Sequence, residues 1–87
     1  MFINKAGDGR NNLCGRQVAR LRKTRGWSQR ALADELQRRG LDVDKNAVQR
    51  IEAGQRFVTD IELVYLAKAL DADVNELLRD SSVKMPY

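Results

Sequence analysis

Glycine spacing and apolar periodicity constrain the fold of this chain more than any other feature. Gly26, Gly40 and Gly54 each follow a segment in which apolar residues recur every three or four positions. That spacing is typical of one face of an α-helix. A glycine just after such a segment is typical of a helix C-terminus, because it adopts the left-handed conformation without strain. No segment alternates apolar and polar residues with a period of two, so the pattern predicts an all-α fold.

Five helices are predicted, most of them with a polar residue placed to cap the first turn. The first spans 13–25, the second runs from its cap at Ser28 to Gly40, the third from Asp44 to Gly54, the fourth from Thr59 to Leu70, and the short fifth follows Asp73. The fourth is the most apolar and is expected to be the most buried. These elements predict a flexible arm at 1–12, a domain at 13–78 and a tail at 79–87.

Charge is distributed unevenly along the chain. Residues 1–58 carry 13 Lys and Arg against 6 Asp and Glu, a net charge of +7, whereas residues 59–87 carry 3 against 6, a net charge of −3. A basic first part suits a polyanionic partner on one face, and a solvated charged surface explains it equally well. Charge alone leaves both interpretations open.

Composition excludes several classes of function. The chain has no histidine, one cysteine and one proline, so histidine-based catalysis, ordinary zinc clusters and disulfide scaffolds are not expected. We therefore expect no enzyme, no cofactor and no metal. Cys14 has the spacing of a buried apolar residue and receives no functional role. No apolar run is long enough to span a membrane and 1–12 lacks a signal-peptide pattern, so a cytoplasmic protein is expected.

The third predicted helix has an outward face with side chains suited to DNA. When its apolar residues pack inward, a turn of about 3.6 residues brings four polar side chains together on the other side. They are Lys45, Asn46, Gln49 and Arg50. In the major groove, Lys and Arg match the acceptors of guanine, and Asn and Gln match the edge of adenine. The same residue types are common on any exposed helix, so the face alone does not establish DNA binding.

Three segments in order resemble the phage-repressor, or Xre-type, helix-turn-helix family. They are GWSQRALADEL, NAVQRIEAG and IELVYLAKALDADVNELL, and the resemblance covers residues 13–78. Ala33 matches the small residue where the two motif helices of that family cross, and Val48 and Ile51 match core positions of its third helix. The resemblance implies a compact five-helix, lambda-repressor-like DNA-binding domain whose helix-turn-helix is formed by helices 2 and 3.

The resemblance also implies which residues contact DNA. It places the third helix in the major groove, with the four outward side chains named above on base edges. Phosphate contacts are expected at the start of the second helix and in the loop after the third. These residues are Gln29, Arg30, Gln55, Arg56 and Thr59, the last through its backbone N–H. Arg22 and Glu52 match family positions that pair inside the domain, so a structural salt bridge is expected.

One departure from the family lies between the motif helices. The segment QRRGLDVDKNA is several residues longer than the tight glycine turn of the best-known members, which affects the angle at which the third helix leaves the second. Arg38 and Arg39 lie in this turn, where they either contact phosphate or stay solvated.

The expected function is sequence-specific binding of a double-stranded DNA operator by a transcriptional regulator, more often a repressor, acting as a homodimer. Apolar residues at the C-terminal end are the candidates for a dimer interface, and packing of these residues within the domain is the competing interpretation. The residues concerned are Val74, Leu77, Leu78, Val83, Met85 and Tyr87. The alternative function is a protein-interaction module, such as an antitoxin or a phage-encoded adaptor, whose partner is a toxin or another regulator. The acidic C-terminal end favours that alternative.

Overall fold

The computed structural model describes residues 9–79, which contain five α-helices and no β-strand. The helices are α1 Gly15–Thr24, α2 Gln29–Arg38, α3 Lys45–Glu52, α4 Asp60–Ala69 and α5 Val74–Leu78. The predicted all-α fold and the order of its helices are confirmed. None of these helices is long and apolar enough to cross a membrane. Residues 1–8 of the predicted arm and 80–87 of the predicted tail lie outside the described residues, and with them Val83, Met85 and Tyr87.

Side-chain caps fix where the helices begin. The hydroxyl of Ser28 accepts a hydrogen bond from the N–H of Ala31 at 3.0 Å at the start of α2, and the carboxylate of Asp44 accepts one from the N–H of Ala47 at 2.8 Å at the start of α3. Thr59 begins α4 with a complete capping box. Each cap satisfies a backbone donor that the first helical turn leaves unpaired. The predicted N-caps of these helices are confirmed.

One hydrophobic core joins all five helices. Its fully buried side chains come from every helix and are Val18, Leu32, Leu36, Val48, Ile51, Leu66 and Leu77. In this core α1 packs on α3 and α5, α2 packs on α3 and α4, and α4 packs on α5. Cys14 belongs to the same core, and burial raises the pKa of its thiol to about 11. Such a thiol stays protonated and unreactive at neutral pH.

The expectation that the fourth helix is the most buried is wrong for its first half. Leu66, Ala67 and Ala69 are buried, but Ile61 is 65% exposed and Val64 is 43% exposed. The helix is apolar on most of its circumference, whereas α2 and α5 cover only one side of it. An apolar face of α4 therefore remains uncovered among the described residues.

The long turn between α2 and α3 is packed against the domain. Val43 lies in the core with 4% of its surface exposed. The side-chain amide of Gln37 donates to the carbonyl of Val43 at 2.7 Å, and the N–H of Leu41 donates to the carbonyl of Leu36 at 2.9 Å. A buried anchor and two hydrogen bonds to α2 fix the direction in which α3 departs.

The last residues of the predicted arm are held against the end of α3. The side-chain amide of Asn12 donates to the carbonyls of Ile51 at 3.0 Å and Arg56 at 2.8 Å, and its oxygen accepts from the N–H of Gly15 at 2.8 Å. Arg10 donates to the carbonyl of Glu52 at 2.8 Å. The packed part of the chain therefore begins before Leu13, the predicted domain boundary.

Candidate nucleic-acid interface

The outward face of α3 consists of the four predicted base-contacting residues. All four side chains are exposed, and they are Lys45, Asn46, Gln49 and Arg50. On the other side of the helix, Val48 and Ile51 are buried in the core. Within residues 9–79 none of the four side chains makes a hydrogen bond or an ion pair. Their donors and acceptors are therefore available to an external partner.

A polar groove separates the N-terminal half of α3 from α2. It has a volume of about 430 Å³. Its walls carry charged and amide side chains around the small buried residue Ala33, and the lining residues are Arg30, Ala33, Asp34, Gln37, Asp44, Lys45 and Asn46. Arg30, Asp34 and Gln37 follow each other at spacings of four and three residues, which places them on one face of α2. Two predicted base-contacting residues and one predicted phosphate-contacting residue thus share one groove.

An ion pair fixes the C-terminal end of α3 to α1. The guanidinium of Arg22 donates to both carboxylate oxygens of Glu52, at 2.7 Å from Nε and 3.0 Å from Nη2, and its Nη1 donates to the carbonyl of Trp27 at 2.8 Å. The side chains are only 10% and 8% exposed. The hydrogen bonds to Glu52 raise the pKa of Arg22 above its ordinary value. The geometry is that of a structural pair that joins α1 to the end of α3.

Gln29 lies beside this ion pair, at the first position of α2. Its side-chain nitrogen Nε2 donates to Glu52 Oε1 at 3.1 Å, and the residue is half-buried. An amide nitrogen carries two N–H groups, so the contact with Glu52 uses one and leaves one. The second N–H is the group that suits the predicted phosphate contact.

The loop from α3 to α4 carries the remaining predicted phosphate contacts, and two of them are already engaged. Gln55 is exposed. Arg56 donates through Nη1 to Glu62 Oε1 at 3.1 Å and through Nη2 to Oε2 at 2.8 Å. The backbone N–H of Thr59 also donates to Glu62 Oε1, at 3.0 Å. A DNA phosphate would meet these donors only in competition with the Glu62 carboxylate.

The two arginines at the end of α2 share one carboxylate. Arg38 and Arg39 both pair with Glu35, the latter at 2.8 Å through Nε. These hydrogen bonds, first that of Arg38 and then that of Arg39, hold the pKa of Glu35 below its ordinary value. Both arginines therefore have an internal partner.

Sequence reasoning missed three features of this surface. Asp34 and Gln37 line the groove, and their helical spacing from Arg30 was the signal that could have found them. The pairing of Glu62 with Arg56 was not predicted, although the two residues are only six positions apart. The contacts of Asn12 with the carbonyls at the end of α3 join residues about forty positions apart, and no local sequence signal indicates them.

The fold and this surface define a helix-turn-helix DNA-binding domain, formed by α2 and α3 within a five-helix core. The sequence matches the family described as "Helix-turn-helix domain" over residues 14–79. The chain belongs to that family, and the predicted Xre-type, lambda-repressor-like relationship is confirmed. The family is one of DNA-binding regulators rather than enzymes. No match to a curated protein sequence is found.

Three solved structures show the same relationship. The restriction-modification controller protein C.AhdI from Aeromonas hydrophila is 35% identical, with a TM-score of 0.64 over 72% of this chain and 84% of that one. An HTH_3 family transcriptional regulator from Vibrio cholerae is 29% identical, with a TM-score of 0.65 over 76% of this chain and 34% of the regulator. The DNA-binding domain of BldD is 28% identical, with a TM-score of 0.65 over 78% and 92%.

Proposed function

We propose that this domain binds a double-stranded DNA operator sequence-specifically and regulates transcription, with α3 in the major groove. The observation that carries the proposal is the outward face of α3. There, four exposed side chains with no partner in the described chain stand on a helix whose other side is buried. Side chains of this kind on the second helix of the motif are the ones that contact base edges in helix-turn-helix proteins.

The chemistry of these four side chains sets the bases that they suit. Arg50 and Lys45 offer donors to the O6 and N7 acceptors of guanine, and Asn46 and Gln49 offer the paired donor and acceptor that adenine requires. Asn46 and Lys45 also line the groove between α2 and α3. We infer that this half of α3 enters deepest into the major groove.

Phosphate contacts on both sides of α3 would fix the domain on the duplex. At the start of α2, Gln29 has a remaining N–H and Arg30 is exposed. In the loop after α3, Gln55 is exposed, while Arg56 and Thr59 are held by Glu62. The first three residues supply phosphate contacts without any rearrangement of the free protein.

Repression is the regulatory effect that we propose, through occupation of an operator that polymerase or its partners also need. The similarity to a restriction-modification controller protein and to a transcriptional regulator supports a regulatory role on DNA. Because the target is the cell's DNA, we place its action in the cytoplasm. No group of residues in the described part of the chain is placed to hold a metal ion, and the proposed contacts require no cofactor.

A homodimer fits this function. A single module buries only about 600 to 1,000 Å² on DNA, which seldom gives tight operator binding alone. Leu77 is buried and Val74 is half-buried within the domain, which leaves Leu78 as the only exposed apolar residue of α5. Three larger exposed apolar residues lie just before α4 and in its first half, and we take them together as one surface: Phe57, Ile61 and Val64. We therefore propose this surface, rather than α5, as the dimer interface, with half-sites about 34 Å apart.

The same exposed apolar surface supports the alternative function, in which the domain binds another protein as an antitoxin or adaptor. Patches of this kind mark protein interaction sites in general. The two functions are separated by whether the protein recognises DNA by sequence.

Selection of bound duplexes from a randomised DNA pool at about 0.15 M salt tests the proposal, because nonspecific charge attraction is already partly screened there. An enriched two-fold motif supports a dimeric operator-binding regulator and gives its half-site spacing. Retention of DNA without a motif contradicts sequence specificity. The absence of retention refutes DNA binding and favours the protein-interaction alternative.

A further inference from the structure

The carboxylate of Glu62 accepts three hydrogen bonds from donors of the α3–α4 loop. Its Oε1 accepts from Arg56 Nη1 at 3.1 Å and from the N–H of Thr59 at 3.0 Å, and its Oε2 accepts from Arg56 Nη2 at 2.8 Å. Two N–H groups of a guanidinium and one backbone N–H at a helix start form the kind of arrangement that binds a phosphate group. In this protein the anion that they hold is a side chain of the protein itself.

The contact between Arg56 and Glu62 is partly protected from water. The side chain of Glu62 is 14% exposed and that of Arg56 is 29% exposed. The hydrogen bonds from Arg56 hold the pKa of Glu62 below its ordinary value, and the same contact raises the pKa of Arg56. Glu62 is therefore ionised at neutral pH, and a partly buried pair is screened by salt much less than an exposed one.

The position of this pair matters because of its neighbours. The loop leads directly from the C-terminal end of α3, and the carbonyl of Arg56 is fastened to Asn12 at 2.8 Å. The backbone of the loop is thus held in place at Arg56. A DNA phosphate that approaches this loop meets a pair with no net charge. The side chain of Gln55 beside it is exposed, and within residues 9–79 only the backbone of Gln55 makes hydrogen bonds.

We propose that the Glu62 carboxylate withholds Arg56 from DNA phosphate, and so lowers the affinity of the domain for DNA of every sequence. This inference rests on the proposed function. Weaker attraction to phosphate leaves more of the discrimination between sites to the base contacts of α3, since phosphate contacts carry no sequence information directly. Glu62 is in this sense a residue that sets the balance between nonspecific and specific binding.

The substitution Glu62→Gln tests the proposal. Glutamine serves in a capping box as well as glutamate, so the start of α4 is kept while the negative charge is removed. With a random-sequence DNA duplex, the variant should bind on the order of tenfold more tightly than the wild-type protein. The plot of log binding constant against log salt between about 0.05 and 0.2 M should become steeper by about 0.9, the slope for one more neutralised phosphate.

Two further variants show whether Arg56 causes the gain. Arg56→Ala should bind the duplex no more tightly than the wild-type protein does, because it leaves the Glu62 carboxylate unpaired. Arg56→Ala combined with Glu62→Gln has a loop without net charge, like the wild-type protein, and should lose the gain. Glu76→Gln is the matched control, because it also removes one negative charge but does so away from the α3–α4 loop. Glu76 pairs with Arg20 at 3.3 Å. Thermal unfolding followed by circular dichroism verifies that each variant is folded.

The outcomes separate the two proposals. Tighter binding by Glu62→Gln that requires Arg56 supports the inference. Unchanged affinity and salt slope, a gain that persists without Arg56, or an equal gain in Glu76→Gln would overturn it while DNA binding by the wild-type protein stands. If the wild-type protein and Glu62→Gln both fail to bind any duplex, the proposed function and this inference are refuted together.

Discussion

The ion pair of Arg22 and Glu52 offers the most direct test of how the α3 surface is held in place. Replacing Arg22 by methionine keeps an unbranched side chain of similar length, but it leaves the Glu52 carboxylate with only one donor among residues 9–79, the Nε2 of Gln29 at 3.1 Å. It also removes the donor to the carbonyl of Trp27. Both charged side chains are about nine-tenths buried, so the remaining carboxylate cannot regain full hydration.

Breaking one partner of a buried ion pair costs about 3 to 5 kcal/mol. The lower end applies here, because Gln29 still donates a hydrogen bond to the remaining carboxylate. We therefore expect Arg22→Met to lower the free energy of unfolding by about 3 kcal/mol. For a domain of this size, about 1 kcal/mol corresponds to about 4 to 8 °C in Tm, so Tm should fall by about 12 to 24 °C.

Urea and thermal denaturation followed by circular dichroism measure this loss. The double variant Arg22→Met with Glu52→Gln is the control, because it removes both charges and should recover a large part of the stability. DNA affinity is then compared at a temperature where each variant is fully folded. A loss below about 1 kcal/mol, or a double variant no more stable than Arg22→Met, would refute the view that an unpaired buried carboxylate causes the damage.

Three further predictions follow from single contacts. Arg50→Ala should weaken operator binding by about 1 to 3 kcal/mol and relax specificity at one base pair; competition between operator and random duplexes measures this, and an equal loss on both would contradict its role in base recognition. Gly54→Ala should lower the free energy of unfolding, measured by urea denaturation, by at least about 1 kcal/mol. Gly54 has a φ of +77°, which L-residues adopt only with strain, and an added Cβ would lie 2.6 Å from Arg10 Cζ. Arg56 lowers the pKa of Glu62, so this pair should add to the free energy of unfolding above the ordinary glutamate pKa of about 4.3 and lose that contribution as the pH falls through the lower folded value. Glu62→Gln should therefore make the decline in the free energy of unfolding at acid pH shallower. An unchanged pH profile would contradict the assignment.

The helix starts were predictable from the sequence because their signals are local. Ser28, Asp44 and Thr59 each satisfy a donor within three residues along the chain. The outward face of α3 was predictable for the same reason, since Val48 and Ile51 define its inner side by helical spacing alone. Local chemistry of this kind does not depend on how the rest of the chain folds.

The uncovered face of α4 was not predictable, because a helix with apolar residues on most of its circumference gives no periodic signal for its exposed side. Only the arrangement of α2 and α5 decides that Leu66 is covered and Ile61 is not. The engagement of Arg56 was missed for a related reason. Composition and resemblance indicate what an arginine can bind, but only the structure shows that Arg56 pairs with Glu62.

Glu52 connects the stability of the core to the proposed DNA contacts. Its carboxylate accepts from Arg22 of α1 and from Gln29 at the start of α2, while the residue itself ends α3. A single side chain thus joins the three helices that position the α3 outward face. The amide nitrogen of Gln29 has a second N–H, which is the group that we propose for a phosphate contact. A substitution at Glu52 should therefore disturb both stability and phosphate binding, whereas one at Arg50 should affect base recognition alone.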